Sequence, residues 1–224
     1  MFRKALASVA GFGVGYSIFA RTWPEVPPAI ILEEHDLHTK RVLDLIKNTK
    51  EYNTLINDPK YQLLDDDNNK IPEAHKVNQV TRGLFGGPKH LEVEPILFLN
   101  KEDGKLKSFA YLGPGLAGRD GKIHNGVIST LLDEGTCFCG FEKLPSKRGV
   151  TAKLSVDFHA KAQPGSTVVL SANVVQSKGR KVVIDGDITT IPINKGDIAE
   201  KIAHAHCILV EPKWFKYLNW VPLF

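Results

Sequence analysis

The chain has 224 residues, enough for one sizeable domain with N-terminal additions. Apolar residues make up 42% and charged residues 24%, a globular composition that excludes disorder throughout. The formal charge is only +4 and the 29 basic residues are scattered, which argues against nucleic acid as the main partner and leaves an anionic small ligand open.

Residues 1–22 place Arg3, Lys4 and Arg21 around an uncharged stretch, Ala5 to Ala20, with no acid before Glu25. A basic, acid-free N-terminus of this kind suggests mitochondrial targeting. The uncharged stretch has 16 residues, short of the ~20 that span a bilayer comfortably. Gly11, Gly13 and Gly15 within it would let membrane helices approach closely, and equally lower the helix propensity of a cleaved leader. A targeting segment and a retained membrane anchor, a transmembrane helix, both stand. A secretory signal is disfavoured, because no clean small-residue cleavage site follows the apolar run.

Pro24, Pro27 and Pro28 then break the chain. From Glu33 to Asn57 the residues Leu37, Val42, Leu43, Leu45, Ile46 and Leu55 fall at mostly helical spacing, predicting one or two amphipathic helices. The acidic run at 65–69 and the glycines between Gly83 and Lys89 are polar or flexible punctuation. The main domain is therefore expected at 91–211, with 23–90 as a helical extension packed on it and 212–224 as an aromatic tail.

Strand patterns begin at Val93–Asn100 and Leu106–Leu112, joined by a turn containing Gly104. After a glycine-rich loop, His124 to Phe141 is apolar nearly all round apart from Asp133 and Glu134, as expected of a helix wrapped by other elements. Four more strands are predicted at Val150–Ala160, Thr167–Gln176, Lys181–Thr190 and Ala199–Val210. Two strands, one buried helix and four strands imply an α+β fold, an antiparallel sheet wrapped around one central helix. Such sheets usually pair with a second copy.

An acid in a buried helix costs several kcal/mol, on the order of 3 or more, unless it is partnered or functional. Asp133 and Glu134 point about 100° apart, so both cannot face the core equally, and Glu134 is expected to be the outward one. The turn Gly121, His124, Asn125, Gly126 offers free backbone N–H groups and a positive dipole end to a carbonyl oxygen. Ordinary capping by Asn125 is the plain alternative. From Asn125 to Asp133 is about 12 Å along the helix axis, so one reacting carbonyl cannot touch both within a single chain. If both act, the site is shared between two subunits.

Cys137, Cys139 and Cys207 are an odd count without C-x-x-C spacing, which indicates neither a disulfide framework nor a four-ligand zinc site. Cys137 and Cys139 flank Phe138 in an apolar run and are expected to be packing residues. His159, His204 and His206 lie on predicted strands without an acid at ligand spacing and are expected to be structural or exposed. Lys178, Arg180 and Lys181 form a basic turn, either a CoA-phosphate contact or a solvated hairpin tip.

The run GPGLAGRDGKIHNGVISTLLDEGT and the strands after it resemble the hotdog thioesterase superfamily. The likeness is to its phenylacetyl-CoA thioesterase-like branch, and within that to mitochondrial acyl-CoA thioesterases, over roughly residues 92–211. The family's H-G-G, an Asp nine residues after the His, a strand Thr or Ser and a Gly-Arg turn are matched by His124, Asp133, Thr151 and Gly179-Arg180. The resemblance implies a hydrolase splitting acyl-CoA into free acid and CoA, with Asp133 as nucleophile or general base. It further implies Thr151 orienting the water or the acid, and the backbone N–H of Asn125 in a partner subunit polarising the carbonyl. His124 and Gly126 would shape the turn against the substrate and Arg180 would meet the CoA phosphates.

One departure is H-N-G in place of H-G-G, which bears on catalytic rate more than on ligand binding. A non-catalytic hotdog module binding acyl chains or a protein partner at the mitochondrial membrane is the competing expectation; a related dehydratase is disfavoured, because His124 opens the helix. No metal and no bound cofactor are expected. The partners expected are acyl-CoA, a second copy in a homodimer or dimer of dimers, no nucleic acid, and a membrane through residues 1–22.

Overall fold

The computed structural model describes residues 9–14, 33–64, 79–192 and 198–217. Two helices open the well-defined part, α1 (Glu33–Lys47) and α2 (Lys50–Ile56). Thr49 separates them because its hydroxyl accepts a hydrogen bond from the Tyr52 amide at 3.2 Å and caps α2. Val42 and Ile46, one helical turn apart, are buried on the same face of α1.

The strands form one seven-stranded sheet in which every neighbouring pair is antiparallel. They are β1 (Gln62–Leu64), β2 (Ile96–Asn100), β3 (Lys105–Leu112), β4 (Val150–Phe158), β5 (Ser166–Lys178), β6 (Lys181–Thr190) and β7 (Lys201–Val210), in the order β1-β2-β3-β5-β6-β7-β4. All six expected strands form, with ends shifted by a few residues. The three-residue β1 was not expected: it is too short to show alternation, and it exists because its backbone pairs Gln62 with Leu99 and Leu64 with Leu97. The helical extension thus supplies one edge of the sheet.

Helix α3 (Asn125–Phe141) connects β3 to β4 and lies across the concave face. It approaches closely because it carries glycine where it meets the sheet. A Cβ at Gly135 would fall 2.8 Å from Leu170 Cδ1, and one at Gly140 would fall 2.9 Å from Ile184 Cδ1 and from Leu209 Cδ2. Leu132, Ile128 and Cys139 fill the space between, against Leu106, Ile184 and Leu209. This is the hotdog arrangement, one helix wrapped by an antiparallel sheet.

Strand alternation builds a second core on the convex face. Phe98, Phe109, Tyr111 and Val169 point outward there and are covered by Val42, Ile46 and Leu55 of α1 and α2. Phe98 and Phe109 meet edge to face at 6.1 Å, and Tyr52 adds a T-shaped contact to Phe98 at 5.3 Å.

Among the described residues no helix is long and apolar enough to cross a membrane. The expected targeting or anchor segment lies largely outside the described residues, of which it includes only the helical 9–14. Of the aromatic tail, Lys213–Tyr217 forms a short 3-10 helix with Trp214 and Tyr217 exposed, and 218–224 lie outside the described residues.

Candidate active site

Asp133 is half-buried on α3 and turns toward the β4 edge of the sheet, where its Oδ1 accepts a hydrogen bond from Thr151 Oγ1 at 2.8 Å. Thr151 sits near the start of β4, where the register with β7 slips between Thr151 and Lys153. An irregularity of this kind bends a strand and re-aims its side chains. Two residues separated by 18 positions, both singled out in the sequence, are thereby in contact. The carboxylate is held by a hydroxyl donor from another element, which fixes its orientation and leaves its second oxygen available for other work.

Glu134 departs from expectation. It does not point into solvent: Oε2 accepts from Thr81 Oγ1 at 2.8 Å, and the side chain lines a cavity of about 480 Å³ beside Leu131, Phe138, Leu97 and Arg82. Loss of hydration on burial pushes the Glu134 carboxyl above the usual glutamate range, against the lowering effect of the Thr81 hydrogen bond. The 100° step of the helix turns the two acids to different faces, but a π-helical turn at Val80–Leu84 covers the face given to Glu134. Nothing in the local pattern of α3 announces that cover.

At the helix start the cap is His124, not Asn125. Its Nδ1 accepts from the Gly126 amide at 2.9 Å, and its carbonyl accepts from the Val127 amide at 2.9 Å. Asn125 is the first helical residue and is half-buried. The Gly126 N–H is therefore taken by the cap, and the Asn125 N–H is the donor at this end that no hydrogen bond among the described residues claims. The His124 amide is itself anchored on the Leu116 carbonyl at 3.0 Å, tying the helix start to the glycine-rich loop.

Arg180 is on the β5–β6 hairpin, where Gly179 takes the turn with φ +58. Its Nη1 donates to the Glu211 carbonyl at 2.7 Å, so this contact holds the chain leaving β7 and does not reach the helix. His204 and His206 do meet acids, contrary to the sequence spacing. They face Asp187 at 2.9 Å and Asp185 at 2.7 Å across the β6–β7 ladder, a pairing set by register and invisible along the chain.

The cysteines gave the second departure. Cys139 is a buried packing residue, and burial pushes its thiol up to about 12. Cys137 is not just packing: its Sγ lies 3.1 Å from Thr151 Oγ1, and it converges with Asp133 and with Cys207 of β7. A shared hydrogen bond pushes the Cys137 thiol up and the Cys207 thiol down. Cys207 lies 70 positions from Cys137 in the chain, so only the pairing of β7 against β4 and α3 could reveal this.

A family model described as the thioesterase superfamily matches residues 120–196, the stretch that carries Asn125, Asp133, Thr151 and Arg180. A Candida albicans relative named "Uncharacterized protein, mitochondrial" is 45% identical over 226 residues, covering 99% of this chain and 99% of its own length. Saccharomyces cerevisiae "MIOREX complex component 3" is 35% identical, covering 99% of this chain and 95% of its own length. The rat "Acyl-coenzyme A thioesterase THEM4" is 29% identical over 117 residues, covering 51% of this chain and 47% of its own length.

Proposed function

The chain belongs to the thioesterase superfamily and is mitochondrial like its fungal relatives, and from that premise we propose that it hydrolyses an acyl-CoA thioester to free acid and CoA at Asp133. The observation that carries this reading is the 2.8 Å hydrogen bond from Thr151 to Asp133, which orients a half-buried carboxylate on a largely apolar helix. In this reading residues 91–211 carry the chemistry and 23–90 form a cover.

As general base, Asp133 takes a proton from a water molecule as the water oxygen bonds to the thioester carbonyl carbon. The carbonyl oxygen becomes an oxyanion, which a backbone N–H at a helix start stabilises. Collapse of that intermediate breaks the C–S bond, CoA leaves as thiolate, and the proton held by Asp133 returns to it. As nucleophile, Asp133 instead forms a mixed anhydride that water then opens, with the same products. Thr151 positions the acid in either route.

The oxyanion donor is the Asn125 N–H, which lies about 12 Å along α3 from Asp133 and must therefore come from a second copy. The edge position of β4 supports this, since an edge strand presents unpaired backbone groups to a neighbour right beside Thr151. His124 and Gly126 shape that turn through their mutual hydrogen bond. Arg180 is the candidate for the CoA phosphates, as a point of positive charge on a hairpin tip.

Thiol release from acyl-CoAs of graded chain length tests the reading. Asp133→Ala is expected to abolish release while leaving the oligomer intact, and unchanged rates would refute it. A second reading, a non-catalytic module within a larger assembly, is favoured by the name of the yeast relative as a complex component. It requires acyl-CoA or a protein partner to bind with no thiol released.

A further inference from the structure

Asp133 shares its pocket with two thiols. The carboxylate oxygen of Asp133, Sγ of Cys137 and Sγ of Cys207 all lie within 4.8 Å of one another, and Thr151 Oγ1 sits between two of them, 2.8 Å from Asp133 and 3.1 Å from Cys137. Three atoms so placed have a point about 2.8 Å or less from all of them. That is roughly 0.5 Å beyond a zinc–sulfur bond of about 2.3 Å, a closure within the reach of side-chain rotation. The three ligands come from two elements, a helix and the strand packed beneath it, with Cys137 and Asp133 one helical turn apart.

We infer that Asp133, Cys137 and Cys207 form a site for a thiophilic divalent cation of the zinc type, with its fourth position open to Thr151 or water. Two sulfurs and one carboxylate select zinc or cobalt over magnesium or calcium, which prefer all-oxygen shells. The two thiol protons leave to solvent as the metal binds. Because the cation takes the Asp133 carboxylate, a filled site silences the hydrolysis proposed above, and this consequence alone rests on that reading. Thiol-bound metal would then act as an inhibitor of the enzyme, and its removal as an activator.

The test uses the reduced full-length chain titrated with cobalt(II) without oxygen. The expected result is a near-ultraviolet thiolate-to-cobalt charge-transfer band with the visible bands of a four-coordinate ion, saturating at one equivalent and erased by zinc. Cys137→Ala and Cys207→Ala should each remove the charge-transfer band or sharply weaken it, and Cys139→Ala should keep it. No charge-transfer band in the unsubstituted chain overturns the site, as does a band that survives both substitutions. Because Cys207 is fully buried and its replacement opens a hole in the core, Asp133→Asn is the second variant: it keeps both thiols and is expected to weaken cobalt binding at least ~10-fold.

Hydrolysis is then measured with and without one equivalent of zinc. Zinc should lower it on the order of 100-fold, the effect of losing a general base, and a chelator should restore it. A chain that shows the cobalt band but releases no thiol even when metal-free keeps the metal site and refutes the proposed hydrolysis. One that hydrolyses without a cobalt band refutes only the metal site, and hydrolysis that persists with the site filled refutes the silencing.

Discussion

Asp133 and Glu134 are adjacent in the chain and opposite in environment. Thr151 holds Asp133 at the β4 edge, and its donor bond to a charged acceptor is worth about 1.5–3 kcal/mol. Thr151→Ala is therefore expected to lower kcat on the order of 10- to 100-fold, with Thr151→Ser restoring it, since the hydroxyl and not the methyl carries the effect. Glu134 makes a different prediction. Burial raises its carboxyl above the ordinary value of 4.5, so the folded chain binds that proton more readily than the unfolded chain does. Its ionised form thus costs stability in full above the raised value, and the cost fades as the pH falls from the raised value to the ordinary one, below which it is gone. Glu134→Gln keeps an acceptor for Thr81 and removes the charge. A melting point about 2–4 °C higher at pH 7, matching ~1 kcal/mol in a protein of this size, should shrink toward zero in acid; a gain that grows in acid would contradict this.

At the scale of elements, α3 is placed by its two ends and by its glycines. The cap belongs to His124, whereas sequence spacing left the turn open between N–H groups free for a carbonyl oxygen and capping by Asn125. His124→Ala should cost about 1 kcal/mol by thermal or urea unfolding, the usual worth of a helix cap, and His124→Asn should recover most of it. The helix and the six longer strands were legible because their periodicities are strong and their turns carry Gly104, Gly165 and Gly179, all with positive φ. The short β1 and the turn over Glu134 were not, since each forms from tertiary contacts with no pattern of its own.

At the scale of the whole molecule, α1 and α2 cover the outer face of the sheet over β2, β3 and β5, and among the described residues the β4 edge and the outer face of β6 and β7 are not covered by them. A site shared across β4 predicts complementation. Asp133→Ala and Asn125→Asp copies are each expected to be inactive, the second because a carboxylate beside the oxyanion repels it. Refolding them together forms mixed dimers with one intact site, and about a quarter of the unsubstituted activity should return if pairing is random. Activity in either variant alone, or none after mixing, would place the two groups otherwise.

The link between Asp133 and a strand threonine came from the family resemblance, while the sequence by itself determined the fold class and the central helix that carries Asp133. These rest on local information: hydrophobic period, glycine turns, and the high cost of an ionisable group on an apolar helix. Only the tertiary structure decided that Glu134 faces a covered cavity, that His204 and His206 meet Asp187 and Asp185, and that Cys207 joins Cys137 at Asp133. Each of these depends on strand register or on a segment far away in the chain, and spacing along one dimension carries no record of which strands lie side by side.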